Sequence, residues 1–229
     1  MTFGLIGLCV AAFVAQVAGG MGMATGDPAG SVTIDYGLLG YRQIGPLGQA
    51  IGVAEGEYYR IITGGFLHSG LIHLGLNMLA LFFLGALLEN AIGGWRFAGI
   101  FFISLLGGSL GALILSPNDL TVGASGAVFG LMAAAFLEAR DRGRHDVASQ
   151  IGFYVVINLV FTFSVPNISV GGHLGGLLAG GVLTLFLAQA RRSGGESSRS
   201  VEIAGTVGLG VALAAACVVA GNAAAPALL

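Results

Sequence analysis

Four polar side chains lie inside otherwise apolar stretches of the chain. His73 and Asn77 are four residues apart, Ser125 follows a glycine-alanine pair, and His173 follows two glycines. Polar groups in such stretches are costly, so each is a candidate functional residue. A serine hydroxyl becomes an effective nucleophile when an adjacent base takes its proton, and His173 is the base placed to serve Ser125. The pattern predicts a Ser125/His173 dyad for acyl transfer.

Acyl transfer also needs donors for the negative charge that develops on the attacked oxygen. His73 and Asn77 share one face of a helix because residues four apart are neighbours there. We expect both side chains, with the Ser125 backbone N–H, to stabilise that oxyanion. Acidic residues fall outside the apolar stretches near this depth, so packing must orient the imidazole of His173. Phe129, one turn after Ser125, is placed to stack against it.

Glycines at four-residue spacing accompany both reacting groups. Gly126 and Gly130 follow the serine, and Gly172, Gly176 and Gly180 surround the histidine. Small residues at this spacing let helix backbones approach closely within a membrane. The pattern predicts direct contact between the two helices that carry the dyad.

The composition places these residues in a bilayer. Of the 229 residues, 55% are hydrophobic and 9% are charged, and the mean hydropathy is +0.91, whereas about a quarter of residues are charged in soluble domains. A net charge of −2 without any Lys excludes a nucleic-acid partner. Cys9 and Cys217 lie far apart, which argues against a disulfide framework. A His73/His173 metal site would lack a carboxylate or thiolate, so we expect no metal and no cofactor.

The hydropathy pattern predicts seven membrane-embedded helices. The fourth and fifth are short for a full span, which fits for the fourth if 116–124 dips into the membrane within protein or around a water-filled cavity. The first lacks a basic leader region, so we expect it to be retained rather than cleaved as a signal peptide. The seven runs are Phe3–Met23, Phe66–Leu88, Phe97–Leu115, Ser125–Leu137, Gln150–Val165, His173–Ala190 and Ile203–Ala223.

The arginines predict the orientation, because cytoplasmic loops carry an excess of basic residues. With a cytoplasmic N-terminus, Arg42 and Arg60 are external, in a long loop at about 24–65. Ser125 and His173 then lie at external helix starts. The Arg- and Ala-rich composition favours a multi-pass protein of a prokaryotic plasma (inner) membrane. The cytoplasmic arginines are Arg96, Arg140, Arg142, Arg144, Arg191, Arg192 and Arg199.

In these motifs the sequence resembles the rhomboid family of intramembrane serine proteases. The resemblance covers about Glu55–Ala190. Two departures are Tyr59-Arg60, where the family often has Trp-Arg, and Gly172, where it often has Ala. The matching motifs are His73-x-x-x-Asn77, Gly123-Ala124-Ser125-Gly126, His173-x-x-Gly176-x-x-x-Gly180, and Glu89-x-x-x-Gly93 with Arg96-Phe97.

The resemblance implies a rhomboid-like six-helix core at 1–190 within an all-α membrane bundle. A cytoplasmic linker at 191–202 and an additional C-terminal helix within 203–229 would follow. It also implies Ser125 as nucleophile and His173 as base, with Gly123 and Gly126 supporting the serine. Family members cleave substrates within or beside a transmembrane segment, often at small residues. A mobile fifth helix and its cap loop, here about 150–165 and 162–172, are thought to admit them.

The predicted function is therefore an intramembrane serine endopeptidase that acts on transmembrane protein substrates in contact with membrane lipid. The alternative is a non-catalytic rhomboid-like binder of transmembrane helices, which would be expected to lack the serine or the histidine. A transporter using His73 and His173 as proton relays is a third hypothesis. Transporters usually carry acidic residues in mid-span and paired repeats, and the sequence has neither.

Overall fold

A computed structural model describes residues 1–23, 30–44, 48–194 and 198–226 of the chain. Helices dominate it. In chain order they are α1 (Thr2–Ala18), α2 (Ser31–Tyr36), α3 (Arg60–Thr63), α4 (Leu71–Ile92), α5 (Gly94–Leu115), α6 (Ser125–Asp141), α7 (His145–Ser164), α8 (Val170–Ser193) and α9 (Ser198–Asn222). Within the described part, the strands are β1 (Arg42–Ile44) and β2 (Gln49–Ile51), which pair antiparallel.

The membrane bundle predicted from hydropathy is confirmed. Helices α4, α5, α7, α8 and α9 are long and apolar enough to cross a membrane, and α1 is a shorter apolar helix of 17 residues. Helix α6, also of 17 residues, packs among them with most of its first half buried. Helix α5 lies at the centre, with more than half of its hydrophobic window buried. The protein is an integral, multi-pass membrane protein.

Several predicted helix boundaries were wrong. Helix α4 begins at Leu71 rather than Phe66, because Gly70 adopts φ 153° and interrupts the helix. His73 is therefore in the first turn of α4, whereas a helix that began at Phe66 would place His73 about two turns from its start. Helix α7 begins at His145 rather than Gln150, and α9 at Ser198 rather than Ile203. Hydropathy marks only the apolar part of a helix, and both helices extend into polar residues. Within the predicted linker at 191–202, residues 191–193 belong to α8 and 198–202 to α9, and residues 195–197 lie outside the described ranges.

Glycine contacts fix the packing of the central helices. A Cβ on Gly176 would overlap the Gly126 carbonyl, and one on Gly180 would lie 2.7 Å from the Gly130 carbonyl oxygen. The predicted close approach of α6 and α8 is thus confirmed. Helix α5 contacts α8 in the same way, through Gly107, Gly108 and Gly111 against Gly171, Gly172 and Gly175. This second interface, between α5 and α8, was not predicted from the sequence.

Arg60, which is 1% exposed, connects described parts of the predicted loop at 24–65. Its guanidinium donates to the carbonyls of Ile34 and Gly37 at 2.6 and 2.9 Å, and to the Glu57 carboxylate at 2.7 Å. Burial alone would raise the pKa of Glu57, but hydrogen bonds from Arg60 and the Gly52 amide, with the Arg60 charge, hold it below its usual value. The carboxylate therefore stabilises this loop at neutral pH, and the contribution is lost as the pH falls through the lowered pKa. Residues 24–29 and 45–47 of the predicted loop lie outside the described ranges.

The segment before α6 obtains backbone partners from that loop. Leu38 and Thr121 form a bridge, the Gly40 N–H donates to the Pro117 carbonyl at 2.7 Å, and the Gly123 N–H donates to the Gly64 carbonyl at 3.0 Å. Irregular backbone at membrane depth is tolerated only where its polar groups are satisfied by protein or water. The loop thereby supports the start of α6.

Helix α9 is attached to the core by a buried ion pair. Glu202 is fully buried, and its carboxylate accepts two hydrogen bonds from the Arg96 guanidinium at 2.6 and 3.2 Å. The same guanidinium lies 4.7 Å from the centre of the Trp95 ring. Half of the other α9 residues are exposed, and two of them, Cys217 and Gly221, are also buried.

Candidate active site

The first turns of α6 and α8 bring a serine and a histidine together. Ser125 is the first residue of α6, and His173 lies in the first turn of α8, where the Ser169 hydroxyl caps the helix by accepting from the Gly172 N–H. The His173 Nε2 lies 2.8 Å from the Ser125 Oγ. Phe129 stacks on the imidazole with ring centres 4.2 Å apart and planes 20° apart. The structure thus brings together three of the side chains selected from the sequence.

His73 lies across from this pair, in the first turn of α4. The Ser69 backbone N–H lies 3.3 Å from its Nδ1, and the Ser69 Oγ lies 2.9 Å from the same atom. A backbone N–H can only donate, so Nδ1 is the acceptor and the ring proton of neutral His73 resides on Nε2. That Nε2 lies close to Gly123, 2.9 Å from the position that a Cβ would take there. His73 is consequently held as a hydrogen-bond donor.

Asn77 is buried one turn after His73, and its Nδ2 donates to the His73 carbonyl at 2.9 Å. One amide hydrogen is used in this bond, and the other has no protein partner within the described ranges. The Ser125 N–H, at the start of α6, likewise lacks an intrahelical partner, as helix starts do. The candidate donors are therefore the His73 ring, the second Asn77 hydrogen and the Ser125 amide.

Gly123 borders the space between His73 and Ser125. Its φ is 131°, a backbone conformation that residues other than glycine rarely adopt. A Cβ there would lie 2.7 Å from His73 Cε1, 2.9 Å from His73 Nε2 and 3.6 Å from Ser125 Oγ. Only glycine leaves this space open for a reacting group.

We expect Gly123→Ala to lower the reaction of Ser125 with a serine-directed probe by about 100-fold, because a displacement near 1 Å within a site has effects of that size. Backbone strain should also lower the stability by about 1–3 kcal/mol. The matched control is Gly143→Ala, because Gly143 has φ 70° but no atom near its Cβ position. Labelling rates and thermal unfolding of both variants test this, and equal labelling of both would contradict it.

Sequence reasoning missed two hydroxyl groups that contact the imidazoles. Ser69 contacts His73, and the buried Thr162 of α7 places its Oγ1 2.7 Å from the Nδ1 of His173. Ser69 lies before α4, beyond the interruption at Gly70, so helical spacing does not predict its contact with His73. Thr162 is eleven residues from His173 and on another helix, so no local spacing predicts the contact.

The polar groups show little sign of a metal site. No cluster of three or more His, Cys, Asp or Glu side chains suited to a metal occurs among residues 1–23, 30–44, 48–194 and 198–226. Cys9 and Cys217 are buried in separate apolar clusters.

Comparisons of the sequence with known proteins all indicate the same protein family. Residues 55–190 match the Rhomboid domain model. Over 131 residues, or 56% of this chain, the sequence is 37% identical to Rhomboid protease GluP of Bacillus subtilis, of which it spans 26%. It is 32% identical to RHOMBOID-like protein 6, mitochondrial, of Arabidopsis thaliana, over 76% of this chain and 55% of that protein.

A third relative has a name that describes it as inactive. Inactive RHOMBOID-like protein 8 of Arabidopsis thaliana is 36% identical over 54% of this chain and 36% of its own length. The chain spans between a quarter and just over half of these three relatives. The domain match includes Arg60, Ser125 and His173, and the chain belongs to the rhomboid family.

Proposed function

We propose that the protein is an intramembrane serine endopeptidase with a Ser125/His173 dyad. The observation that carries the proposal is the 2.8 Å contact between Ser125 Oγ and His173 Nε2, with His73 held as a donor beside it. Some rhomboid relatives are named proteases and at least one is named inactive. Family membership alone therefore does not establish activity, which depends on the reacting groups of this chain.

Acylation begins when His173 Nε2 takes the Ser125 hydroxyl proton as Oγ attacks the substrate carbonyl carbon. The resulting oxyanion accepts hydrogen bonds from His73 Nε2–H, Asn77 Nδ2–H and the Ser125 N–H. His173 then gives its proton to the leaving amine nitrogen as the peptide C–N bond breaks. An ester joins the N-terminal part of the substrate to Ser125.

Deacylation uses the same groups in the reverse order of proton transfer. His173 takes a proton from water, and the hydroxide oxygen attacks the ester carbon to form a second oxyanion at the same donors. As the ester C–O bond breaks, His173 returns the proton to Ser125 Oγ. The products are a carboxylate and the regenerated enzyme.

The substrates we infer are transmembrane segments, because the dyad lies among helices that cross the membrane. The seven-to-two distribution of arginines favours a cytoplasmic N-terminus, with the starts of α4, α6 and α8 on the external side. The hydrolytic water would then enter from outside. The composition favours a prokaryotic plasma membrane.

Reaction of the detergent-solubilised protein with a fluorophosphonate probe tests this function. We expect one adduct, which mass spectrometry locates on Ser125, because an activated serine reacts faster than ordinary hydroxyls. Ser104 is the internal control: it is buried on α5, and its hydroxyl bonds only the Ile100 carbonyl within the described ranges. An unlabelled but folded protein would overturn the proposal and favour a non-catalytic binder of transmembrane helices.

A further inference from the structure

Thr162 of α7 contacts the imidazole nitrogen that faces away from Ser125. Its side chain is 2% exposed, its Oγ1 lies 2.7 Å from His173 Nδ1, and the same oxygen lies 2.7 Å from the Asn158 carbonyl oxygen. The mechanism above leaves Nδ1 without an assigned partner. A threonine hydroxyl has one proton and two lone pairs, so it can serve both neighbours in only one way.

The Asn158 carbonyl decides the direction of both bonds. A carbonyl oxygen can only accept, so the Thr162 hydroxyl donates to Asn158 and turns a lone pair toward His173. His173 Nδ1 must then carry the ring proton and donate to Thr162. In a neutral imidazole this leaves Nε2 unprotonated, as the acceptor of the Ser125 hydroxyl proton.

We propose that Thr162 is a positioning residue that holds His173 in the Nδ1–H tautomer required of the base. The inference rests on the proposed dyad function. Thr162 would fill the orienting role that a carboxylate fills in a Ser-His-Asp triad, with a neutral acceptor in place of a charge. The imidazolium that forms during acylation would keep the same Nδ1–H bond.

Because Thr162 belongs to α7, its bond to His173 depends on how α7 packs against α8. In α7, Ala148 and Thr162 are the only fully buried residues, and most of the remaining face is exposed. The two helices of the dyad are fixed by glycine contacts, whereas the orienting oxygen belongs to the less buried α7. Because hydrogen bonds weaken beyond about 3.2 Å, a small displacement of α7 away from α8 would release the tautomer constraint.

The test compares Thr162→Val with Thr162→Ser and Thr184→Val in the full chain in detergent. Thr184 is the matched control because it is equally buried, at 2% exposure, and among the described residues its hydroxyl bonds only the Gly180 carbonyl one turn earlier. The first readout is fluorophosphonate inactivation, resolved into a maximal rate constant and a half-saturating probe concentration. The second readout is the ¹⁵N NMR spectrum of the four histidines, with the His173 signals identified by their absence in His173→Gln.

We expect Thr162→Val to lower the maximal inactivation rate constant about tenfold, the change that one neutral hydrogen bond corresponds to. The half-saturating concentration should stay unchanged, because Thr162 does not contact the probe. His173 should show Nδ1–H in the wild type and a mixture of tautomers in Thr162→Val. Thr162→Ser and Thr184→Val should behave like the wild type in both readouts.

Two results would overturn the inference. One is a His173 that keeps its Nδ1–H form in Thr162→Val, and the other is an inactivation rate that falls equally in Thr162→Val and Thr184→Val. Failure of the proposed function gives a different result, because a wild type that never reacts still reports the His173 tautomer by NMR. The spectra thus test the Thr162 bond separately from the activity.

Discussion

Replacement of Ser125 by Ala is expected to lower the cleavage of a membrane-embedded reporter helix by about 10⁴-fold or more, as in serine hydrolases that lose a reacting group. His173→Ala should cause a loss of similar size. In the proposed mechanism the hydroxyl and the imidazole, which lie 2.8 Å apart, act in one proton transfer, so neither would retain its function alone. The double variant should therefore be no worse than either single variant.

The measurement is cleavage of a reporter with one transmembrane helix containing Gly and Ala near its external end, in detergent and in vesicles. Ser104→Ala and His145→Ala are the matched controls, since they remove a buried serine and an exposed histidine that make no hydrogen bond to Ser125 or His173 within the described ranges. Both controls should cleave at the wild-type rate. Additive losses in the double variant would show that Ser125 and His173 do not act as a pair.

Replacement of Gly176 by Ala is expected to disrupt the contact between α6 and α8. The new Cβ would overlap the Gly126 carbonyl and lie 2.9 Å from the Gly126 Cα, and backbone atoms cannot move aside as a flexible side chain can. The helices must separate, so the unfolding free energy should fall by about 3 kcal/mol, the upper end for overpacking. Gly126 adjoins Ser125, so the same separation should lengthen the contact between Ser125 and His173 and abolish labelling.

Gly181→Ala is the matched control on the same helix, because its Cβ would meet only the Ala133 Cβ at 3.8 Å, an ordinary contact. This variant should keep both its labelling rate and its thermal unfolding temperature. Thermal unfolding in detergent, followed with probe labelling, measures both effects. A Gly176→Ala protein that melts and reacts like Gly181→Ala would show that the helices do not touch at this point.

The pair of reacting groups was predictable from sequence because a polar residue in an apolar run is rare and costly. Ser125 and His173 could be selected on that ground, and the surrounding glycines explained how two helices come within hydrogen-bonding distance. Phe129 was predictable because helix geometry fixes which residues lie one turn apart. These inferences require only local spacing and the cost of burial.

The parts that sequence did not predict depend on contacts between distant segments. Thr162 looks like any threonine that bonds its own helix, and only the packing of α7 on α8 gives it a second partner. The contact of α5 with α8 through Gly111 and Gly171 was missed because α5 carries no reacting group. In the loop before α4, Arg60 binds backbone carbonyls. Every residue has a backbone carbonyl, so the sequence does not indicate which ones Arg60 contacts.

The buried ion pair of α9 has a consequence for how the protein is assembled. A helix inserted alone would bring the Glu202 carboxylate into the membrane boundary without a partner, and an unpaired buried charge costs about 3–5 kcal/mol. Arg96, at the start of α5, is synthesised about a hundred residues earlier and stacks on Trp95. Because Arg96 is synthesised first, we expect that insertion of this late helix is favoured only once the core presents the Arg96 guanidinium to Glu202.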